Sequence, residues 1–287
     1  DDEGPHAALS RLLADLGATG TNLRVALDET MRADFALLLL DALDAPRHTF
    51  LGETLGSLRA RKDESEFALL KAAARIDDEA MSAAFAMLRP GMTELDVDAF
   101  VRDFFRSRGA RPEFTIIGFG ENAAFPHHHS SDRVIKADDV VLIDIGCRLN
   151  GYPSDMTRMG TMGTPPANFA EIHTIVDGAV KAALTAARPG VRARDVDAAA
   201  RDHITAAGYG DRFLHRTGHG LGIDVHEPPY ITATSDTILE AGHVFSIEPG
   251  IYLAGQFGLR LEEIVYLGKD GPVIMSSLPR TAFVAGA

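Results

Sequence analysis

The sequence predicts an α+β fold in which two related αβ halves enclose a central cleft, preceded by part of a small α/β domain. Three observations lead there. Arg89-Pro90-Gly91 recurs as Arg188-Pro189-Gly190, and the same offset of 99 maps Asp96–Ala99 onto Asp195–Ala198, Arg102-Asp103 onto Arg201-Asp202 and Gly109 onto Gly208. Identity at one fixed offset over so short a window marks an internal duplication, with a period too long for a solenoid. Each repeated helix pair is followed by a strand-rich stretch holding unusual polar residues, and neither stretch holds a complete site. The front of the chain, residues 1–58, alternates helix-like and strand-like patches without a catalytic constellation.

Along that front, Ala7 to Leu16 is periodic at helical spacing, Leu23 to Leu27 suits a short strand and Thr30 to Leu43 reads as a second helix. Pro46 and the glycines at 52 and 56 are expected to break the pattern. The segment is expected to be an incomplete N-terminal domain, with the rest of the chain, residues 59–287, forming a second, larger domain. From Asp63 to about Leu88 a long helix is predicted, its apolar stripe marked by Phe67, Leu70, Ala74, Met81 and Phe85 and its end by the first Pro-Gly stop.

The first half then holds Glu121-Asn122, Pro126 and His127-His128-His129, followed by an apolar run from Val140 into Asn150-Gly151. Asn-Gly between strands signals a two-residue hairpin turn. With these as the loop residues, paired positions sum to 301 and Asp144 faces Thr157. Asp155 lies two residues along from Thr157, so Asp144 and Asp155 share a face as diagonal neighbours, roughly 7 Å apart. Two buried carboxylates on one face repel each other unless a cation sits between them. On these residues alone, acids that point at solvent fit as well.

The second half supplies His215, His219, His226, Glu248, Arg260 and Glu262. Alternation along one strand puts Leu259, Leu261 and Val265 on one face, and Arg260, Glu262 and Ile264 on the other with Glu263 turned away. Arg260 and Glu262 read either as site groups or as an edge-strand ion pair. Glu248 closes an apolar strand, where an unused charge is costly. His219 stands between glycines, either a loop residue or a ligand that backbone can approach closely. Two Asp, two Glu and one His suit Mn²⁺ or Co²⁺ better than a thiolate-bound structural zinc. Two such ions, bridged by shared carboxylates, would neutralise the acids and activate water. No phosphate-binding glycine loop stands in a strand–helix context and no Gly-x-Ser-x-Gly elbow occurs.

The formal net charge of −13 argues against nucleic-acid or anionic-membrane partners. A single cysteine, Cys147, forbids an intrachain disulfide and reads as a small buried hydrophobe. The longest apolar run, Phe35 to Leu40, is too short to span a bilayer, and a cytoplasmic protein is expected.

The order of motifs resembles the pita-bread metallopeptidases, within them the Xaa-Pro dipeptidase (prolidase) and aminopeptidase P branch. Those motifs are Asn122-x4-His127, Asp144-Ile-Gly, Ser154-Asp-Met-Thr-Arg158, Thr217-Gly-His-Gly-x-Gly222, His226-Glu-Pro-Pro, Glu248-Pro-Gly-Ile-Tyr252 and Arg260-x-Glu262. The likeness covers about residues 59–283. It implies the pita-bread (creatinase/aminopeptidase) fold and a dinuclear centre of Asp144, Asp155, His219, Glu248 and Glu262, with Asp155 and Glu262 bridging. It implies hydrolysis of the Xaa-Pro imide bond by a metal-bridging hydroxide, with Glu248 as general base and proton shuttle. His127 and His226 would stabilise the tetrahedral intermediate, and His215 and Arg260 would grip substrate, Arg260 at the proline carboxylate. The resemblance further implies Mn²⁺, with Co²⁺ or Zn²⁺ as substitutes, and a homodimer. Aminopeptidase P activity on longer Xaa-Pro-Yaa peptides is the alternative. Two departures stand out: residues 1–58 are about half the family's N-terminal domain, and Glu263 replaces an aspartate common in the Arg-Ile-Glu-Asp strand.

Overall fold

The computed structural model describes residues 3–20 and 22–285. The chain divides into two compact units, Asp1–Arg59 and Ala60–Ala287. The first carries α1 (Gly4–Asp15), β1 (Arg24–Leu27), α2 (Ala33–Ala42), β2 (Arg47–Phe50) and most of α3 (Leu51–Ala60), with β1 and β2 paired in parallel. The expected break at Gly52 and Gly56 is not seen, because both lie inside α3. Isolated glycines weaken a helix by about 1 kcal/mol each without forbidding it. At Gly52 the backbone N–H donates to Glu29 Oε1 at 2.8 Å.

In the second unit the duplication is visible in the backbone. Helices α4 (Glu64–Met87) and α5 (Glu94–Ser107) are followed by β3 (Arg111–Phe119), β4 (Val140–Leu149), β5 (Tyr152–Pro153) and β6 (Met156–Met162). Helices α6 (Phe169–Ala186) and α7 (Ala193–Ala206) open the second half, so α4 and α6 end 99 residues apart and α7 repeats α5 at both ends. Gly91 and Gly190 share φ of +92°, a left-handed stop that favours glycine. On α5, Asp98 pairs with Arg102 and accepts from the Thr115 hydroxyl; on α7, Asp197 pairs with Arg201 and accepts from the Thr217 hydroxyl. Such a polar knot between helix and following strand, made twice, is what a duplicated unit retains.

The remaining strands are β7 (Gly218–Gly220), β8 (Glu227–Ile231), β9 (Val244–Ile247), β10 (Gly250–Leu253), β11 (Phe257–Arg260), β12 (Glu263–Gly268), β13 (Gly271–Ile274) and β14 (Phe283–Ala285). The first-half sheet runs β14-β6-β4-β3, with β5 on β4; the second-half sheet runs β13-β12-β9-β7-β8; β10 and β11 form a separate pair. Strand β4 is buried on both faces. Val141, Ile143 and Ile145 join a core with α4 and α5, while Val140 and Leu142 join one with α6, α7 and β9. Asp144 shares the second face by alternation.

The hairpin register is as expected. Asp144 pairs with Thr157, Arg148 with Pro153, and Asn150 and Gly151 both take positive φ, 51° and 90°. The single strand expected across Leu259–Leu267 is instead two strands: β11 pairs with β10, β12 crosses to β9, and Leu261-Glu262 forms the break. Period-two alternation carries no information on which sheet each half of an apolar run joins.

Candidate metal centre

A cavity of about 690 Å³ is lined by all nine residues singled out from sequence: His127, Asp144, Asp155, His215, His219, His226, Glu248, Arg260 and Glu262. Both halves contribute. Asp144 comes from the middle of β4, Asp155 from the step between β5 and β6, His219 from the centre of β7, Glu248 from the end of β9 and Glu262 from the β11–β12 break. The glycines beside His219 serve backbone approach. A Cβ at Gly218 would lie 1.9 Å from the Ser246 carbonyl oxygen, and one at Gly220 2.3 Å from that of Glu227. Only glycine lets β7 lie so tightly between β8 and β9.

Asp155, His219 and Glu262 each bring a donor atom within 4.8 Å of the others. The His219 Nδ1–H donates to the Gly220 carbonyl at 3.1 Å, the only role a carbonyl partner allows, so Nε2 is the nitrogen turned into the cavity. Nε2 stands 3.2 Å from Glu248 Oε1 and 3.6 Å from Asp155 Oδ2. Asp144 Oδ1 and Glu262 Oε1 are buried with no hydrogen-bond partner. A buried carboxylate oxygen left unpaired costs free energy that a bound cation would return. Asp155 and Glu262 are pushed well above the carboxylate range, by burial first and then by the neighbouring acids. Asp144 is raised by burial against the pull of Arg260. Four acids, one imidazole nitrogen and two orphaned oxygens fit hard or borderline divalent ions. For Glu248, burial pushes upward, but the hydrogen bond and charge of His219 outweigh it and hold the carboxyl at about 2.

Arg260 is more committed than expected. It donates from Nη2 to Asp144 Oδ2 at 2.5 Å, from Nη1 to the Tyr252 hydroxyl at 2.7 Å and from Nε to Thr157 Oγ1 at 3.0 Å. Thr157 in turn donates to Glu262 Oε2 at 2.8 Å, so one guanidinium braces two of the carboxylates. The His215 Nδ1–H donates to the Arg216 carbonyl, which leaves Nε2 to accept from Tyr252 at 2.8 Å. Burial lowers His215 to about 4, so it is neutral at pH 7. His226 is also lowered to about 4, by burial and then by the positive fields of His219 and Arg216. Its ring centroid is 4.2 Å from that of His219.

The sequence reading missed Tyr252, Thr157 and Arg216 as site groups, although Tyr252 and Thr157 stand inside motifs already singled out and Arg216 directly precedes one. Arg216 lines the cavity with its guanidinium 4.9 Å above the Tyr230 ring. Glu263, expected to turn away, does so into an ion pair with the wholly buried Arg158 and a second with Arg280. Cys147 is buried, its thiol donating toward the Ala73 carbonyl, and is no part of the centre.

Fold and site together define a metal-dependent hydrolase of the two-half, pita-bread kind. The signature of metallopeptidase family M24 matches residues 68–269, and the chain belongs to that family. It is 39% identical over 286 residues to a probable dipeptidase PepE of Mycobacterium bovis, covering 99% of this chain and 75% of that one. It is 39% identical over 223 residues to an Xaa-Pro dipeptidase of Pyrococcus furiosus, covering 77% of this chain and 64% of the relative. Among solved structures, prolidase from Thermococcus sibiricus superposes with a TM-score of 0.93 at 34% identity, over 99% of this chain and 78% of that one. An X-Pro aminopeptidase from Thermotoga maritima follows at 0.87 and 35%, over 98% and 80%.

Proposed function

We propose that the protein hydrolyses the Xaa-Pro bond of dipeptides, with two divalent ions held by Asp144, Asp155, His219, Glu248 and Glu262. The convergence of these five side chains on one cavity, with Asp144 Oδ1 and Glu262 Oε1 unpartnered, is the observation that carries the reading. Bound there, the ions would supply Lewis acidity and lower the pKa of water. The chain's own groups do the rest. Glu248 takes a proton from the attacking water and returns it to the prolyl nitrogen, which has no N–H and leaves only when protonated. His226, neutral at pH 7, can donate an N–H to the scissile carbonyl oxygen; His127 shares that task, holding the charge that develops. His215, through Tyr252, keeps Arg260 aligned on Asp144.

A dipeptide substrate brings a carboxylate into the cavity. Two arginines line it: Arg260 already spans Asp144, Tyr252 and Thr157, whereas Arg216 makes no ion pair among the described residues. Arg216 is therefore the first partner for that carboxylate, with Arg260 holding the acids behind it. Among the described residues no helix is long and apolar enough to cross a membrane. The same reading takes Mn²⁺ as the first metal to supply, the cytoplasm as the setting that suits a lone reduced cysteine, and a homodimer as the assembly.

The test is release of free proline from an Xaa-Pro dipeptide by metal-stripped protein given Mn²⁺, beside Asp155→Ala. Metal-dependent release abolished by the substitution is expected. Cleavage of Xaa-Pro-Yaa without cleavage of Xaa-Pro would replace the dipeptidase reading with aminopeptidase P.

A further inference from the structure

Outside the metal centre, the Glu94 carboxylate is wholly buried in the first turn of α5. Its Oε1 accepts from the Phe119 backbone N–H and from Asn122 Nδ2, both at 2.9 Å. Its Oε2 takes the Ser131 N–H at 2.9 Å, the Ser131 hydroxyl at 2.7 Å and His128 Nε2 at 2.7 Å. All five donors belong to one stretch, residues 119–131, two anchor residues before His127 and two after it. Between the anchors the chain makes two turns, Phe125 N–H to the Asn122 carbonyl and His128 N–H to the Phe125 carbonyl. His127 thus stands in a loop with no strand ladder of its own, tied at both sides to a single carboxylate.

The backbone pinning of this helix start is made without that carboxylate. In the first half, Glu94 and Leu95 donate backbone N–H groups to the Arg133 and Ser131 carbonyls, and Ile135 donates to Met92. In the second half, Ala193 and Arg194 donate to Thr237 and Ser235, and Leu239 to Val191, which is the same pinning. The offset of 99 carries Glu94 onto Ala193, equally buried with 0% exposure. One half satisfies this position with a methyl group. The half that bears His127 spends a buried charge there, which is tolerated only because all its lone pairs are matched.

We propose that Glu94 is a positioning residue that fixes the 119–131 loop and thereby holds the His127 imidazole in the cavity. The proposal rests on the role of His127 in the reading above.

Glu94→Gln keeps the size of the side chain but turns one acceptor oxygen into an NH₂ aimed at donors. Asn122→Ala removes one anchor and leaves α5 untouched. Each is made in the wild-type and His127→Ala backgrounds, and kcat, KM, bound metal and the thermal midpoint are measured for all. In the wild-type background Glu94→Gln is expected to lower kcat/KM about 100-fold and Asn122→Ala about tenfold, the scale of a misplaced group, with metal content unchanged. In the His127→Ala background either substitution adds less than about twofold, because partners in one network are not additive. Equal losses in both backgrounds would overturn the proposal in favour of a general structural role, as would full activity of Glu94→Gln. If Glu94→Gln does not fold, the Asn122→Ala pair decides alone. Full activity of His127→Ala by itself would instead remove the role of His127, a failure seen without any Glu94 variant.

Discussion

Replacing Asp155 with asparagine should have opposite effects on the metal-free and metal-loaded protein. Asp155 and Glu262 are raised well above the carboxylate range by burial and then by neighbouring acids. A carboxyl with a raised folded-state pKa keeps its proton in the folded chain while the unfolded chain loses it near pH 4. Its contribution to stability is therefore full below that value and is lost as pH rises through the folded pKa, at about 1.4 kcal/mol per unit of displacement. Asparagine has nearly the same volume and does not titrate. At pH 8 without metal the variant should be at least as stable as wild type, and its stability should fall less as pH rises above 5. Metal reverses the order. Wild type at a hundredfold excess of Mn²⁺ over its dissociation constant gains about 2.7 kcal/mol, roughly 5–10 °C in midpoint for a unit of this size. The variant, lacking a ligand beside His219 and Glu262, should gain a small part of that. Calorimetric melts at pH 5, 6.5 and 8, with chelator or Mn²⁺, read both effects. An apo variant less stable than wild type at pH 8, or one with an undiminished metal shift, would refute the argument that these acids are mutually unfavourable and held together by a cation.

Three further outcomes follow from single contacts. Arg216→Gln should raise KM for an Xaa-Pro dipeptide about 10- to 100-fold, with kcat nearly unchanged and little effect on the dipeptide amide, the pattern of lost carboxylate binding; equal effects on acid and amide would contradict it. A Cβ at residue 258 would lie 2.1 Å from the Ala123 carbonyl oxygen, so Gly258→Ala should push the 119–131 loop off β11 and lower kcat/KM about 100-fold with far-UV circular dichroism retained. Burial lowers His243 from 6.5 to about 4, so it folds neutral while the unfolded chain takes a proton; stability is full above pH 6.5 and falls toward pH 4 by up to about 3 kcal/mol. His243→Gln should flatten that slope in denaturant titrations, and an unchanged slope would assign it elsewhere.

What was legible in the sequence is what local chemistry decides. Asn150 and Gly151 both need positive φ, so the hairpin could close at one place only, and Asp144 had to face Thr157. The Pro-Gly stops kept their left-handed glycines through duplication, which is why one offset recovered α4 to α7. The step from β11 to β12 was not legible, since Leu261 and Glu262 alternate like their neighbours while the chain changes sheets. The bonds of Arg260 were not legible either. Its partner Asp144 lies 116 residues away, and a charge on a strand does not announce whether it meets substrate or another side chain.

Glu94 shows where a sequence reading could have gone further. As an acid in the first turn of a capped helix it looks solvent-facing, because Asp96, its neighbour in the capping box, is just that. Compared with the position 99 residues on, however, it is a charge where the other half has alanine. In a duplicated fold the repeated residues carry the scaffold, since both halves must solve the same packing problem. Residues that differ at matched buried positions have been released from that problem and answer to another. Here the difference ties a loop bearing His127 to α5, and the hairpin acids and the His219 strand are likewise each confined to one half. Departures from the internal repeat are therefore the places to look for chemistry that motifs do not reveal, and Glu94→Gln in the two His127 backgrounds tests that rule on one residue.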